Sequence, residues 1–319
     1  MGISTVGIPT AAITTAGMKE PAATVGPKPV FAPAPVPAPA PVPAPAPVPD
    51  PEPVRLGKVT FIGAGPGAAD LITLRGARAI AAADIVIWAS SLVQAEILEH
   101  ARPDAVTVDS AALPIEGVLP YYERAAREGL LVARVHSGDP ALWGAIQEQL
   151  ERAWELGLET EVVPGVSAFS AVAALAQREL TVPEVAQSVI LTRLEGGKTP
   201  MPEGETIRSF AAHGTTMAVF LSAARCGQLA AELLAGGYEP GTPVIVASRA
   251  SWPDEELVHC TIGTMAETVK TRKLWKHTLF LVGPALGASG TRSHLYHPGH
   301  FHEHRRADPE ARRALRAAK

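Results

Sequence analysis

The stretch Val59-Thr60-Phe61-Ile62-Gly63-Ala64-Gly65-Pro66-Gly67 decides how the chain is interpreted. A short apolar run leads into three glycines within five residues, and a helical pattern opens soon after, near Asp70. This order predicts a strand, a tight turn and a helix. Because glycine has no Cβ, the backbone of such a turn can approach a small molecule closely. The turn is therefore a candidate cofactor loop.

The first interpretation to test is a dinucleotide-binding turn, because Gly63, Gly65 and Ala68 fit the spacing G-x-G-x-x-G/A. That interpretation requires an acid at the end of the second strand, roughly 20 residues on, to bind a ribose hydroxyl. The predicted second strand, 84–89, has its only acid, Asp84, at the entering end. The proline inside the turn also lacks the amide donor that a pyrophosphate would use. These residues disfavour a nicotinamide or flavin site, and a purely structural turn remains an alternative.

Composition narrows the class of protein. The chain has 319 residues, of which 47% are hydrophobic and 19% charged, and its net charge is −4. This length allows two domains with a core each, and the charge predicts no general attraction to nucleic acid. The two isolated cysteines, Cys226 and Cys260, indicate a reducing, cytoplasmic setting. No apolar run approaches the roughly 18 residues that span a bilayer, so no membrane association is expected.

Residues 1–54 are rich in proline and alanine and are predicted to lie outside the fold. Between residues 27 and 53 the proline repeat excludes helix and central strand, because proline lacks an amide donor and fixes φ. We expect an extended, disordered leader. The alternative function for it is a docking site for a proline-binding partner.

The segment 55–178 is predicted to be an N-terminal α/β domain. Short apolar runs alternate there with amphipathic stretches, which favours a mostly parallel, doubly wound sheet. The predicted strands are 58–63, 84–89, 105–109, 130–136 and 159–163, and the predicted helices lie near 70–83, 91–100, 117–128 and 141–156.

The segment 179–287 is predicted to be a second α/β domain, and its closely spaced late strands indicate a mixed sheet. Two such layers leave a cleft in which a small molecule can bind. The remaining tail, 288–319, is basic and rich in histidine. Imidazoles can bind transition metals, but no acid or cysteine in the tail supports a defined geometry, so we predict no metal site and expect a solvated or subunit-contacting tail.

Two further loops resemble the first turn in their small residues and their position. Ser137-Gly138-Asp139-Pro140 follows one predicted strand, and Pro164-Gly165-Val166-Ser167-Ala168 follows another. Since the carboxyl ends of parallel strands meet at one edge of a sheet, three such loops favour one shared ligand over three unrelated turns. Asp139 suits either a helix cap or an acceptor for a ligand amine or hydroxyl.

The turn at 63–67, the stretch His136-Ser137-Gly138-Asp139-Pro140 and the stretch 164–168, in this order, resemble the tetrapyrrole methylases, a family of S-adenosylmethionine-dependent enzymes. The resemblance extends from about residue 57 to about 286. The stretches 192–202 and 249–255 and the last strand are similar to a branch that methylates ring carbon 11 of a corrin precursor. The resemblance implies two αβα domains, S-adenosyl-L-methionine folded in the cleft between them, a tetrapyrrole substrate and a homodimer.

The same resemblance implies which residues line the site. The implied cofactor-binding residues are Pro66, Ser137, Gly138, Asp139, Ser167, Ala168, Leu221, Ala247 and Ser248. A polycarboxylate macrocycle also needs cationic partners. The candidates on the predicted cleft loops are Arg193, Lys198, Arg225 and Arg249.

No residue stands out as a general base, and Asp139 is the carboxylate nearest the implied cofactor, where holding that cofactor suits it better than proton transfer. Methyl transfer from a sulfonium relies mainly on positioning, so the absence of a nucleophilic triad in the sequence is consistent with it. The near alternatives are the cobalt-bound form of the same substrate and another tetrapyrrole C-methylation. A non-catalytic ligand-binding or assembly protein is the alternative from a different class.

Overall fold

The computed structural model describes residues 56–196, 200–290 and 292–317. The predicted leader, 1–54, lies outside the described residues, as does Lys198. The described residues fall within one compact unit, Glu52–Lys319, which contains two five-stranded sheets. The predicted domain boundary at residue 178 stays a prediction.

The first sheet is wholly parallel and has the strand order β3-β2-β4-β1-β5. Each strand is preceded or followed by a crossover, as parallel pairing requires. The strands are β1 (Lys58–Gly63), β2 (Ile85–Trp88), β3 (Val106–Asp109), β4 (Leu131–His136) and β5 (Glu159–Val163). The crossovers contain 3₁₀ turns at Ala69–Leu71 and Ala95–His100 and the helices α1 (Leu74–Ala82), α2 (Ile115–Glu128) and α3 (Ile146–Glu155).

Three predicted helices differ from the structure. The segment predicted as a helix near 70–83 is divided into the 3₁₀ turn at Ala69–Leu71 and α1, because Ile72 and Thr73 have extended backbone. The segment predicted as a helix at 91–100 forms only the 3₁₀ turn at Ala95–His100. The helix predicted from residue 141 begins at Ile146 instead, because Trp143 and Ala145 have φ of 55° and 49°. Left-handed backbone cannot continue a right-handed helix, so residues 141–145 form a loop.

The second sheet is mixed, as predicted, with the order β6-β7-β10-β8-β9. Only β6 and β7 pair in parallel, and the remaining pairs are antiparallel. Its strands are β6 (Val189–Arg193), β7 (Thr216–Phe220), β8 (Pro243–Ser248), β9 (Glu256–Thr261) and β10 (Thr278–Val282). The helices that follow α3 along the chain are α4 (Ala168–Leu175), α5 (Ile207–Ala211), α6 (Cys226–Ala235), α7 (Ile262–Arg272) and α8 (Pro309–Ala317).

Both faces of the second sheet are covered. Alternate residues along a strand point to opposite faces, so Phe280 of β10 packs with α6 and α7 while Leu279 and Leu281 pack with α4. Val172 of α4 is fully buried in that contact. The segment after β5 therefore crosses over to cover the second sheet, and it brings the 164–168 loop with it.

Glycines in the three predicted loops allow other parts of the protein to pack closely against the backbone. A Cβ on Gly63 would lie 2.5 Å from Gly165 Cα and 2.6 Å from Gly138 O, and a Cβ on Gly165 would clash with the same Gly138 oxygen. A Cβ on Gly67 would clash with the indole of Trp252. The expectation that the glycines of the first turn leave room for a ligand was therefore wrong for Gly63 and Gly67, because neighbouring protein atoms occupy the positions that their side chains would take.

This packing predicts opposite effects for two alanine substitutions. We expect Gly165→Ala to lower the free energy of unfolding by about 3 kcal/mol, because backbone must move to accept the new methyl group. Gly227→Ala, in α6 with nothing near its Cβ position, should raise it by up to about 1 kcal/mol through helix propensity. Denaturant unfolding of both variants measures these changes. Equal effects would contradict the close contact at Gly165.

Candidate functional site

The three sequence motifs meet at the carboxyl edge of the first sheet. Gly138 N–H donates to Gly65 O at 2.7 Å, and Gly65 N–H donates to Gly138 O at 3.3 Å, so the first two loops form a short antiparallel bridge. Ala64 N–H also donates to His136 O at 2.8 Å. The first turn and the loop after β4 are thus fixed to each other by backbone alone.

Asp139 fixes the third loop to the second. Its Oδ2 accepts a hydrogen bond from Gly165 N–H at 3.1 Å, and its Oδ1 accepts one from Ala141 N–H at 2.8 Å. Hydrogen bonds from backbone amides to a carboxylate are charge-assisted and stronger than neutral ones. The carboxylate therefore acts first as a structural link between two cavity-lining loops.

A cavity of about 440 Å³ opens beside these loops. Its lining comes from the three loops, from the ends of β7 and β8, from the start of β10 and from the segment that precedes β10. The lining residues are Pro66, Leu92, Ser137, Gly138, Asp139, Leu142, Trp143, Ser167, Ala168, Val172, Phe220, Leu221, Ser222, Ala223, Ala224, Ala247, Arg249, Ala250, Trp252, Trp275, His277, Thr278 and Leu279. Most of them are small or apolar, which is typical of a small-molecule site.

The structure brings eight of the nine implied cofactor-binding residues into one lining. These are Pro66, Ser137, Gly138, Asp139, Ser167, Ala168, Leu221 and Ala247. Ser248 is the exception, since it lies outside the lining and its hydroxyl donates to Lys276 O at 3.2 Å. A role in cofactor binding stays a prediction for all nine.

The predicted substrate cations are not gathered at one place. Arg249 lines the cavity, whereas Arg193, which donates to Pro200 O at 3.3 Å, lies outside the lining. The guanidinium of Arg225 donates to the carbonyl oxygens of Leu194 and Glu195 and so supports the loop after β6. Arg249 is therefore the described cation best placed to meet a ligand in the cavity.

Several aromatic residues of the lining were missed by sequence reasoning. Trp143 and Phe220 lie with ring centroids 4.7 Å apart, although they come from opposite halves of the chain. Trp252, Trp275 and His277 also line the cavity. A tryptophan three residues after Pro140, in a loop rich in small residues, was an available signal for the first of them, but the others depend on how the second sheet folds.

Backbone strain is concentrated in the lining. Trp143, Leu221, Arg249 and His277 have φ between 49° and 55°, a left-handed region that bulky side chains rarely adopt. Trp143 and Leu221 nevertheless keep 43% and 72% of their surface exposed. Strained backbone that presents exposed apolar side chains in a cavity is typical of a binding site.

One cluster in the lining joins charge to aromatic surface. The Arg249 guanidinium carbon lies 5.1 Å from the Trp252 ring centroid, and its Nη1 pairs with Asp254 Oδ2 at 2.5 Å. The rings of Trp252 and His277 are stacked, with centroids 5.7 Å apart. Burial, and then the positive charge of Arg249, lower the pKa of His277. His277 is accordingly neutral at neutral pH, and Arg249 carries the positive charge of the cluster.

His136, at the end of β4, is a structural histidine. Its Nε2 is buried without a hydrogen-bond partner among the described residues, and its ring lies 6.0 Å from that of Phe61. Burial, reinforced by the charge of Arg134, lowers the pKa of His136 to about 3. The imidazole is therefore neutral at neutral pH and supports the loop that begins at Ser137.

The sequence around these loops is similar to that of known proteins. The sequence model described as "Tetrapyrrole (Corrin/Porphyrin) Methylases" matches residues 58–266, which include all three loops and the 249–255 loop. The chain belongs to the tetrapyrrole methylase family.

Individual relatives of this methylase cover most of its length. It is 46% identical over 248 residues to a precorrin-4 C(11)-methyltransferase from Pseudomonas aeruginosa, which covers 77% of this chain and 98% of that enzyme. A solved cobalt precorrin-4 methyltransferase shares 40% identity with a TM-score of 0.70, over 72% of this chain and 95% of that one. The uroporphyrin-III C-methyltransferase from Thermus thermophilus, solved with S-adenosyl homocysteine, shares 28% identity with a TM-score of 0.61. The match covers 72% of this chain and 99% of that one.

Other possible sites receive no support from the geometry. Within residues 56–196, 200–290 and 292–317, no three His, Cys, Asp or Glu side chains are grouped to hold a metal ion. No helix in that part of the methylase is long and apolar enough to cross a membrane. The histidines of the tail lie around a 3₁₀ turn at His294–Tyr296 and the residues after it.

The carboxylate link between the loops predicts how Asp139 variants behave. Asp139→Asn keeps an acceptor for Ala141 N–H but cannot accept from both amides, and Asp139→Ala loses both bonds. We expect each to weaken binding of S-adenosylhomocysteine by about tenfold, equal to roughly 1.4 kcal/mol, as measured by calorimetry. Asp109→Ala is the matched control, since Asp109 also accepts from two backbone amides but lies outside the cavity. Equal binding by all three variants would contradict the proposed link.

The low pKa of His136 predicts how stability depends on pH. Between about pH 6.5 and 3 the unfolded chain binds a proton that the folded protein does not, so the free energy of unfolding falls as the pH is lowered. The largest slope from this group is about 1.4 kcal/mol per pH unit. Unfolding of wild type and His136→Phe across this range should show a shallower slope for the variant. Identical slopes would show that His136 titrates normally.

Proposed function

We propose that the chain methylates precorrin-4 at C(11) to give precorrin-5 in corrin ring biosynthesis, with S-adenosyl-L-methionine as the methyl donor. The observation that carries this proposal is the meeting of the three family loops at one cavity. It is supported by 46% identity to a precorrin-4 C(11)-methyltransferase that the chain matches over 98% of its length.

The cavity suits S-adenosylmethionine in size and in chemistry. Its volume of about 440 Å³ falls within the range of small-molecule sites, and its small and apolar side chains allow an adenosyl group to lie against them. The uroporphyrin-III C-methyltransferase from Thermus thermophilus, which is similar to this chain, has been solved with S-adenosyl homocysteine. We infer that the cofactor is held by the family loops on one side and by the ends of β7 and β8 on the other. The residues assigned to this role are Pro66, Ser137, Gly138, Asp139, Ser167, Ala168, Leu221 and Ala247.

The chemistry relies on positioning. When bound, S-adenosylmethionine supplies an electrophilic methyl group on a sulfonium. The residues of this chain have to align an electron-rich ring carbon with that group and exclude water, which lowers the barrier by preorganisation. Asp139 is a poor candidate for a general base, because each of its carboxylate oxygens already accepts a backbone amide. We assign it to holding the cofactor loops, and no general base is assigned.

The substrate presents several carboxylates, and Arg249 is the cation that we assign to bind one of them. A guanidinium carries five N–H donors, and the ion pair with Asp254 engages its Nη1 group. The exposed faces of Trp143 and Leu221 provide apolar surface for the macrocycle. Arg193, Arg225 and Lys198 stay predictions as substrate ligands.

The cobalt form of the same substrate is the near alternative, since a cobalt precorrin-4 methyltransferase matches the chain at 40% identity. A homodimer in the cytoplasm is part of the proposal: the homodimer rests on the family resemblance, and the cytoplasmic setting rests on the two isolated cysteines. A non-catalytic binding protein would bind the cofactor without forming product.

The deciding experiment incubates the full chain with labelled S-adenosylmethionine and either metal-free or cobalt-bound precorrin-4. We expect a product heavier by one methyl group, detected by mass spectrometry, and the preferred form identifies the substrate. Cofactor binding without product would favour the non-catalytic alternative. No binding of the cofactor at tens of micromolar would refute the enzyme proposal.

The assignment of Arg249 gives a sharper prediction. Arg249→Ala should raise KM for the tetrapyrrole by about tenfold or more, the magnitude of one lost charge-assisted hydrogen bond, while cofactor binding changes little. Arg208→Ala is the control, because Arg208 pairs with Glu232 and lies outside the lining. Steady-state kinetics measure both variants. An unchanged KM for Arg249→Ala would show that the carboxylate binds elsewhere.

A further inference from the structure

Trp252 belongs to none of the three family loops, yet it touches the first of them. It lies in the loop 249–255, between β8 and β9, and its side chain lines the cavity. The edge of its indole contacts the first glycine turn. The face of its ring contacts Arg249.

The edge of the indole is docked on the first glycine turn. Trp252 Nε1–H donates to Pro66 O at 3.2 Å, and the ring fills the space where Gly67 would carry a Cβ. A second bond lies alongside, since Ala68 N–H donates to Ser251 Oγ at 3.0 Å. The 249–255 loop therefore fixes the turn that we assign to the cofactor, across 183 and 186 residues of sequence.

The aromatic ring supports the cation that we assign to the substrate. The Arg249 guanidinium carbon lies 5.1 Å from the ring centroid, within the distance of a cation–π interaction. The imidazole of His277 is stacked on the same indole with an interplanar angle of 20°. Asp254 holds the guanidinium by an ion pair. Because Arg249 has a long, flexible side chain, these contacts restrict where its charge can lie.

We propose that Trp252 is a positioning residue for both ligands of the reaction. Its N–H holds the Pro66 turn against which the cofactor binds, and its ring holds Arg249 where a substrate carboxylate binds. This inference rests on the proposed function. It implies that the loop 249–255 sets the distance between methyl donor and acceptor, which a shift of about 1 Å is enough to disturb.

Two substitutions separate the two contacts. Trp252→Phe keeps an aromatic face for Arg249 but removes the N–H donor to Pro66, so it should raise the Kd of S-adenosylhomocysteine by about three- to tenfold, the magnitude of one neutral hydrogen bond. It should change KM for the tetrapyrrole by less than about twofold. Trp252→Leu removes both contacts and should also raise KM by about tenfold. Calorimetry and steady-state kinetics on the full chain measure these quantities.

Trp154→Phe is the matched control. Trp154 is a half-exposed tryptophan of α3 whose Nε1–H donates to Thr160 Oγ1 at 2.9 Å, and it lies outside the cavity lining. Trp154→Phe therefore removes one indole N–H hydrogen bond, as Trp252→Phe does, but at a position outside the cavity. We expect its Kd and KM to equal those of wild type, even if its melting temperature falls.

A double-mutant cycle distinguishes positioning from general destabilisation. If Trp252 acts through Arg249, the rise in KM of Trp252→Leu should be largely absent in an Arg249→Ala background, because the group that it orients is gone. Multiplicative effects of the two substitutions on KM would overturn the substrate half of the inference. If Trp252→Leu fails to fold, the Kd of S-adenosylhomocysteine for Trp252→Phe, compared with that for Trp154→Phe, still tests the cofactor half, because the acceptor is the backbone oxygen of Pro66 and only the indole N–H can be removed.

The outcomes are distinguishable from failure of the proposed function. A wild-type chain that does not bind S-adenosylhomocysteine refutes the proposed function itself. A wild-type chain that binds it, with Trp252→Phe binding equally well, refutes only the cofactor half of the inference, and the KM cycle of Trp252→Leu with Arg249→Ala decides the substrate half.

Discussion

Close contact between three backbone segments is the constraint on which the rest of this structure depends. Gly63, Gly138 and Gly165 lie at three different strand ends, and a Cβ on Gly63 or Gly165 would clash with Gly138 O. Parallel pairing of β1 with β4 and with β5 brings those ends together. Asp139 then locks the third segment to the second through Gly165 N–H. The edge of the first sheet becomes a rigid wall, against which a cavity can have a defined shape.

The second sheet completes that cavity with different chemistry. The first sheet supplies mainly backbone and small side chains, whereas the second supplies the cation and most of the aromatic surface of the lining. Left-handed backbone at Leu221, Arg249 and His277 costs energy at each position. Packing around the second sheet has to offset this cost. A reaction that depends on alignment of two bound molecules benefits from such a wall, because little rearrangement is then needed at the moment of transfer.

Sequence reasoning predicted the fold class and, within a residue at each end, the five strands of the first sheet, because the alternation of apolar runs with amphipathic stretches is a local pattern. It failed at the start of α3, where Trp143 and Ala145 adopt left-handed backbone that no helical pattern reveals. It gave the wrong reason for Gly63 and Gly67. Their spacing does signal close approach, but only the folded chain shows that the approaching atoms belong to the protein.

The sequence by itself determined that three small-residue loops share one edge of a parallel sheet, since the strand order βαβ forces the carboxyl ends of the strands to one side. It also determined the family, because the motifs in those loops stand in a fixed order. Only the tertiary structure decided which residues of the second half reach that edge. Arg249 and Trp252 enter the cavity, while Arg225 is used to support the loop after β6 and Ser248 lies outside the lining. The physical reason is that a contact across more than 180 residues, such as that of Trp252 with Pro66, depends on how two sheets dock, and no local pattern encodes that docking.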